Sequence, residues 1–165
     1  MNTLDVNRVN IYSPYKVWNV GNVIYFVTDS DIKYAVDFDD DNNPYYTAFW
    51  LNLKNESNKK SPGDKKIPQT LICIIEEFFR QNQDVLLYMC STAGGQQAQR
   101  ARLFLRWFNG AEQQKQYVVR AAEVKGEGRK EYVALIAQRS NPNIEDILEI
   151  FEEELAMFNE YKPGI

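Results

Sequence analysis

The chain has 165 residues, 44% of them hydrophobic and 25% charged, with a net charge of −4, which is ordinary for one globular domain long enough to bury a core. It contains no histidine, so the commonest general base and transition-metal ligand are missing, and Ser-His-Asp, Cys-His and HExxH chemistry are excluded. The acidic balance argues against a dedicated nucleic-acid binder, and no apolar run approaches the roughly 20 residues that cross a bilayer.

Residues 1–21 (MNTLDVNRVNIYSPY and on) are polar with scattered aromatics and lack the charged-then-apolar pattern of a signal peptide. They read as an irregular lead-in with at most one edge strand, before a single domain over residues 22–160. Val23–Thr28 and Ile32–Phe38 are strands flanking the hairpin loop Asp29-Ser30-Asp31. In the second, Ile32, Tyr34, Val36 and Phe38 alternate with polar or small residues, the pattern of a half-buried strand. After DDDNNP a third strand runs from Tyr45 to Leu53, with Tyr45, Phe49, Leu51 and Leu53 toward the core and Tyr46 and Trp50 opposite.

The stretch KNESNKKSPGDKK (54–66) is a polar loop. A helix opens near Pro68, a good first-turn residue. Its core stripe is Leu71, Ile74, Ile75 and Phe78, broadened by Ile72 and Phe79, and Asn82 suits a left-handed stop. Val85–Met89 is a continuous apolar run, as expected of a strand covered on both faces. Cys90–Gly95 supplies small residues for a turn. From Gln96 the spacing is helical, with Ala98, Ala101, Phe104, Leu105 and Phe108 on one side and Leu103 and Trp107 roughly opposite. Tyr117–Val124 and Tyr132–Gln138 form a hairpin. Asn141-Pro142 opens a last helix whose Ile144, Ile147, Leu148, Phe151, Leu155 and Phe158 share one face. The fold class is α+β: a mostly antiparallel sheet, built from a three-stranded meander, a later strand and a hairpin, with three helices in the order β-β-β-α-β-α-β-β-α.

Charge is uneven along the chain. Residues 100–130 carry eight basic groups against three acidic, and residues 144–160 carry seven acidic and no basic groups. The two halves are best read as neutralising each other.

Four constellations could carry chemistry. Cys-Ser-Thr-Ala-Gly-Gly after a strand has the shape of a phosphate-cradling loop. A Cys-based phosphatase needs arginine six residues after the cysteine, where this chain has Gln96, so only weaker anion binding with Arg100 survives. Asp37, Asp39 and Asp41 start like a calcium loop, but Asn42 and Ala48 occupy the glycine and closing-glutamate positions, which favours a solvated turn. The acidic face of the last helix (Glu145, Asp146, Glu149, Glu152, Glu153, Glu154) has no second carboxylate helix to share a metal with and reads as a solvated face. Arg100, Arg106, Trp107, Tyr117, Arg120, Arg129 and Tyr132 interleave charge with aromatics, as a platform for single strands would, without any module signature. The two cysteines, Cys73 and Cys90, read as small buried hydrophobes in a cytoplasmic protein.

YFVTDSDIKYAVDF, IPQTLICIIEEFF and YMCSTAGGQQAQRARLFLRWF together resemble DUF6169, a domain family of unknown function from Bacteroidetes, over roughly Asn22 to Phe158. The pattern Cys90-Ser91, Arg100, Arg102, Phe104 and Arg106-Trp107-Phe108 is its most specific part. The resemblance implies a single-domain bacterial protein and carries no activity, cofactor or functional residue.

The expected function is therefore a non-enzymatic binding or interaction module with no metal and no cofactor. Its expected surface is Arg100, Leu103, Arg106 and Trp107 with the turn residues Ser91, Thr92, Gly94 and Gly95, taking a homodimer or protein partner and no membrane. The alternative is a phosphate ester, nucleotide or single-stranded nucleic acid at that place.

Overall fold

A computed structural model describes residues 1–91, 115–126 and 129–160. The fold is α+β. The described elements are α1 (Val6–Tyr12), β1 (Trp18–Val20), β2 (Val23–Val27), β3 (Lys33–Asp40), β4 (Ala48–Asn55), α2 (Lys66–Gln81), β5 (Val85–Ser91), β6 (Tyr117–Gly126), β7 (Arg129–Gln138) and α3 (Ile144–Glu160). Seven strands form one sheet in the order β1-β2-β3-β4-β5-β7-β6. The β1–β2, β2–β3, β5–β7 and β6–β7 pairs are antiparallel, and β5 runs parallel to β4. Four strands thus precede α2 instead of three. The expected helix from Gln96 lies outside the described residues.

The chain forms two compact units, Met1–Asp39 with Leu51–Gln83 and Asp40–Trp50 with Asp84–Ile165. In the first, Ile24 and Phe26 of β2 and Tyr34 and Val36 of β3 are buried, as their alternation requires. Helix α2 buries Leu71, Ile72, Ile74, Ile75, Phe78 and Phe79, and Phe78 stacks on Phe38 with centroids 5.3 Å apart. Cys73 on this helix is half-buried rather than buried.

The lead-in is more ordered than its composition suggests. Asp5 caps α1 by accepting from the Asn7 N–H at 2.9 Å, and Val9 and Val17 are buried. A seven-residue helix is too short for periodicity to reveal it. Asn82 is extended (φ −136°, ψ 137°), not left-handed. Its backbone N–H and its Nδ2 both donate to the Phe78 carbonyl, at 2.8 and 3.1 Å, while its Oδ1 accepts from the Asn2 N–H at 2.8 Å. The side chain ends the helix and holds the N-terminal segment, so no left-handed residue is needed.

In the second unit Val85 to Tyr88 are buried, but Met89, the last residue of the predicted run, is 47% exposed, so cover on both faces ends at Tyr88; Val133 to Ala137 are buried too. Val85, Leu87, Val133, Leu135 and Ala137 join Ala48, Ile147 and Phe151 in one cluster, with Tyr46, Trp50, Ile144, Leu148 and Leu155 packed against it. Leu86, Ala134 and Ile136, which alternate with these, are also fully buried. Asn141 opens α3 as expected, its Oδ1 accepting from the Asn143 N–H at 2.9 Å.

Tyr45 corrects the strand predicted from that residue. It is 71% exposed, because Asn42 is left-handed (φ 55°) and the Asn43 side chain accepts from the Tyr45 N–H at 2.9 Å. This Asx turn keeps the chain from extending until Ala48.

Candidate functional site

Of the expected site, the structure places Ser91 at the end of β5, its backbone paired with Glu131 of β7. Thr92, Gly94, Gly95, Arg100, Leu103, Arg106 and Trp107 lie outside the described residues. The aromatic and basic platform loses one member, since Tyr117 is buried at 6% exposure and cannot offer its ring to a base. Arg120 is exposed and turns back on the Val119 carbonyl at 3.2 Å. The periodicity of isolated strands gives no warning of Tyr117, because the first residue of β6 is equally polar-flanked in either orientation.

A surface that the sequence did not single out stands on the first unit. Strand alternation puts Trp18, Val20, Val23, Tyr25, Val27, Lys33, Ala35 and Asp37 on the face opposite the buried Ile24, Phe26, Tyr34 and Val36, although Ala35 is buried as well. Trp18 lies directly across from Tyr25, and Tyr25 from Ala35. Trp18 stacks on Tyr25 with centroids 5.9 Å apart, and the Lys33 ammonium sits 4.5 Å from the Tyr25 ring, an arrangement favoured by the ring quadrupole. Trp18, Val20 and Val27 are exposed. The Nδ2 of Asn52 donates to Asp37 at 2.8 Å and to Asp39 at 2.6 Å, so one neutral amide holds both carboxylates. Lys33 also reaches Glu56, at 3.8 Å and with both side chains substantially exposed. The alternation along β3 was visible in the sequence, but a three-residue strand was needed to bring Trp18 beside Tyr25.

A second cluster gathers around Tyr15. The ring is buried against Phe26, its hydroxyl donates to Asp64, and it accepts from the Asp29 N–H at 3.2 Å. Burial pushes the phenol up to about 12, and the neighbouring Asp64 and Asp29 carboxylates add to this. Lys66 bonds Asp29 at 2.8 Å, which lowers the aspartate and raises the lysine. The cluster joins the lead-in, the β2–β3 turn and the start of α2. With its groups engaged on one another, its role is to fasten. Glu77 on α2 is another residue that periodicity hides: fully buried, it accepts from Arg80 at 3.2 Å and from Gln81 at 2.8 Å.

In the second unit Asp41 accepts from the Trp50 indole at 2.7 Å, and Asn43 donates to Glu154 at 3.2 Å. Tyr46 beside them is pushed up to about 12 by burial, then by Glu154 and Asp41. The three alternating aspartates therefore serve different partners, Asn52 for Asp37 and Asp39 and Trp50 for Asp41. On α3, Glu145, Asp146, Glu149, Glu152 and Glu153 are exposed, and Glu154 is tied to the turn. Among the described residues no group of three Cys, Asp or Glu side chains could hold a metal. No described helix is long and apolar enough to cross a membrane.

The fold and these surfaces define a small α+β domain with one helix-covered and one open sheet face in its N-terminal unit. The chain belongs to DUF6169, a family of unknown function, which it matches over residues 63–153. That match starts in the loop before α2 and ends within α3, so it leaves out the N-terminal meander that the resemblance in the sequence had included. No curated protein and no solved structure matches the chain.

Proposed function

We propose that this chain is a non-enzymatic interaction module, and that the outer face of its N-terminal sheet is a contact surface. The observation that carries the reading is the stacked Trp18–Tyr25 pair, flanked by exposed Val20 and Val27, with Trp18 38% exposed. Large rigid aromatics give much contact area for little lost side-chain entropy, and Trp and Tyr are the residues that dominate binding energy at interfaces. A cytoplasmic setting is supported by the free Cys73 thiol. The test is a photo-crosslinking side chain placed at Val20 in the cells that make the protein, with the same group at exposed Glu149 as control. Discrete crosslinked species from position 20 alone are expected. None at position 20, or the same species from both positions, overturns the reading.

A second reading places phosphate-ester, nucleotide or single-stranded nucleic-acid binding at Ser91, Thr92, Gly94 and Gly95 with Arg100 and Arg106. It is supported by β5, which is interior, parallel to β4 and ends at Ser91; ligand loops sit at such strand ends. Leu103 and Trp107 of the same segment would extend that surface to a protein partner. A thermal-shift series with phosphate, nucleotides and short RNA or DNA checks it. Stabilisation of wild type but not of Arg100→Ala or Arg106→Ala, weakening with salt, is the expected result.

A further inference from the structure

We propose that the partner for the open face of the N-terminal sheet is a second copy of this chain, bound face to face; this rests on the interaction reading above. The argument is one of charge and symmetry. Along β3 the outer face carries Lys33 at one end, Ala35 in the middle and Asp37 then Asp39 at the other. The Trp18–Tyr25–Ala35 row crosses the strands at the midpoint between Lys33 and Asp37. A two-fold axis running across the strands in the interface plane, at the level of that row, reverses β3 onto the β3 of the second copy. Lys33 of each copy then meets Asp37 of the other, and the Trp18–Tyr25 stacks meet at the centre. Two-fold interfaces need this kind of self-complementarity, and sheets stack with their strands nearly aligned.

Among the described residues the carboxylates of this face have no cationic partner. Among the described residues Asp37 and Asp39 have a neutral Asn52 amide and no Lys or Arg at ion-pair distance. Lys33 has the cation–π contact to Tyr25 and, as its ion pair among the described residues, the long contact to Glu56, of a kind that contributes little. Edge-to-edge pairing is the weaker route to a dimer. β1 has three residues, and the Asn10 side chain already takes both backbone groups of the preceding Val17, accepting from its N–H at 2.8 Å and donating to its carbonyl at 2.9 Å. This guards the edge as native sheets commonly do.

Four strands that average six residues, at about 4.8 Å spacing and about 3.4 Å per residue, give roughly 400 Å² per copy. The pair is therefore below the roughly 1,200 Å² of stable complexes, and the dimer is concentration-dependent rather than permanent.

Sedimentation of the full chain over a hundredfold concentration range tests this, using wild type, Lys33→Glu, Asp37→Lys and an equimolar mixture of the two variants. Wild type is expected to move from monomer toward twice that mass. Each reversal alone places like charges together and is expected to weaken association at least tenfold. The mixture is expected to recover it, because every cross-contact then joins opposite charges. If Asp37→Lys melts far below wild type, Asp37→Asn replaces it, and its mixture with Lys33→Glu is expected to associate more strongly than Lys33→Glu alone. A wild-type chain that stays monomeric, association that survives both reversals, or a mixture that fails to recover overturns the proposal. Crosslinks from Val20 to a different protein, with a monomeric chain, would overturn the second copy and leave the interaction module standing.

Discussion

The two units treat the same kind of secondary structure differently. In the first, β2 buries alternate residues, while β3 buries Tyr34, Ala35 and Val36 in succession and leaves its outward Lys33 and Asp37 half-buried. In the second, β5 and β7 bury successive residues, Val85 to Tyr88 and Val133 to Ala137. Alternation marks a sheet with one wet face and continuity marks one covered twice. The lesson is that a bare apolar residue means different things in the two places. Within the buried runs of the second unit an exposed apolar residue would be a packing fault; on the outer face of the first, Trp18, Val20 and Val27 are exposed in the folded chain.

That contrast is broken most easily at its extremes. Leu135 is fully buried within the second unit's cluster, so Leu135→Ala is expected to cost about 3 kcal/mol through lost burial and the cavity left behind. Val27→Ser on the open face should stay within about 0.5 kcal/mol in the dilute, monomeric chain. Urea unfolding of both variants measures the difference, and equal losses would mean that the open face is covered in the folded monomer.

High pH probes both units through one chemistry. Tyr15 in the first and Tyr46 in the second each have a folded value raised to about 12, against an unfolded value near 10. Above pH 10 the unfolded chain loses protons that the folded chain retains, so stability is complete below pH 10 and falls as pH rises toward 12. Each tyrosine contributes on the order of 2 kcal/mol to that loss. Melting scans from pH 9 to 12 should show Tyr15→Phe and Tyr46→Phe each flattening part of the slope. An unchanged slope in Tyr15→Phe would place that hydroxyl in contact with water.

Much of the fold was legible because hydrophobic period reports local structure directly. The α2 stripe, the β5 run, the β6–β7 hairpin and the Asn141 start of α3 all follow from spacing and capping. What period could not give was the lead-in, where α1 and β1 are held by side-chain bonds between distant residues: Asn2 to Asn82, Asn10 to Val17 and Tyr15 to Asp64. Polar pairing over long sequence separation leaves no repeat to read. The Trp18–Tyr25 surface was missed for the same reason, since it exists only once β1 has paired with β2. The arginine-bearing segment after Ser91 drew the sequence argument because charge and aromatics converge there, whereas convergence on the open face is produced by the sheet register.

A last expected effect bears on how the open sheet avoids sticking at its edge. Asn10→Ala removes two hydrogen bonds from a part-buried site, a loss of about 1 to 2 kcal/mol. The same change also frees the backbone beside β1 for pairing with another chain. If face pairing is the specific contact and Asn10 the guard, Asn10→Ala should add slow, salt-insensitive aggregation on top of the reversible dimer. Lys33→Glu should abolish the reversible step and leave that aggregation intact. Light scattering on the single and double variants separates the two, because a charge-dependent contact responds to salt and backbone pairing does not. Aggregation that vanished with Lys33→Glu would mean that both processes use the same face.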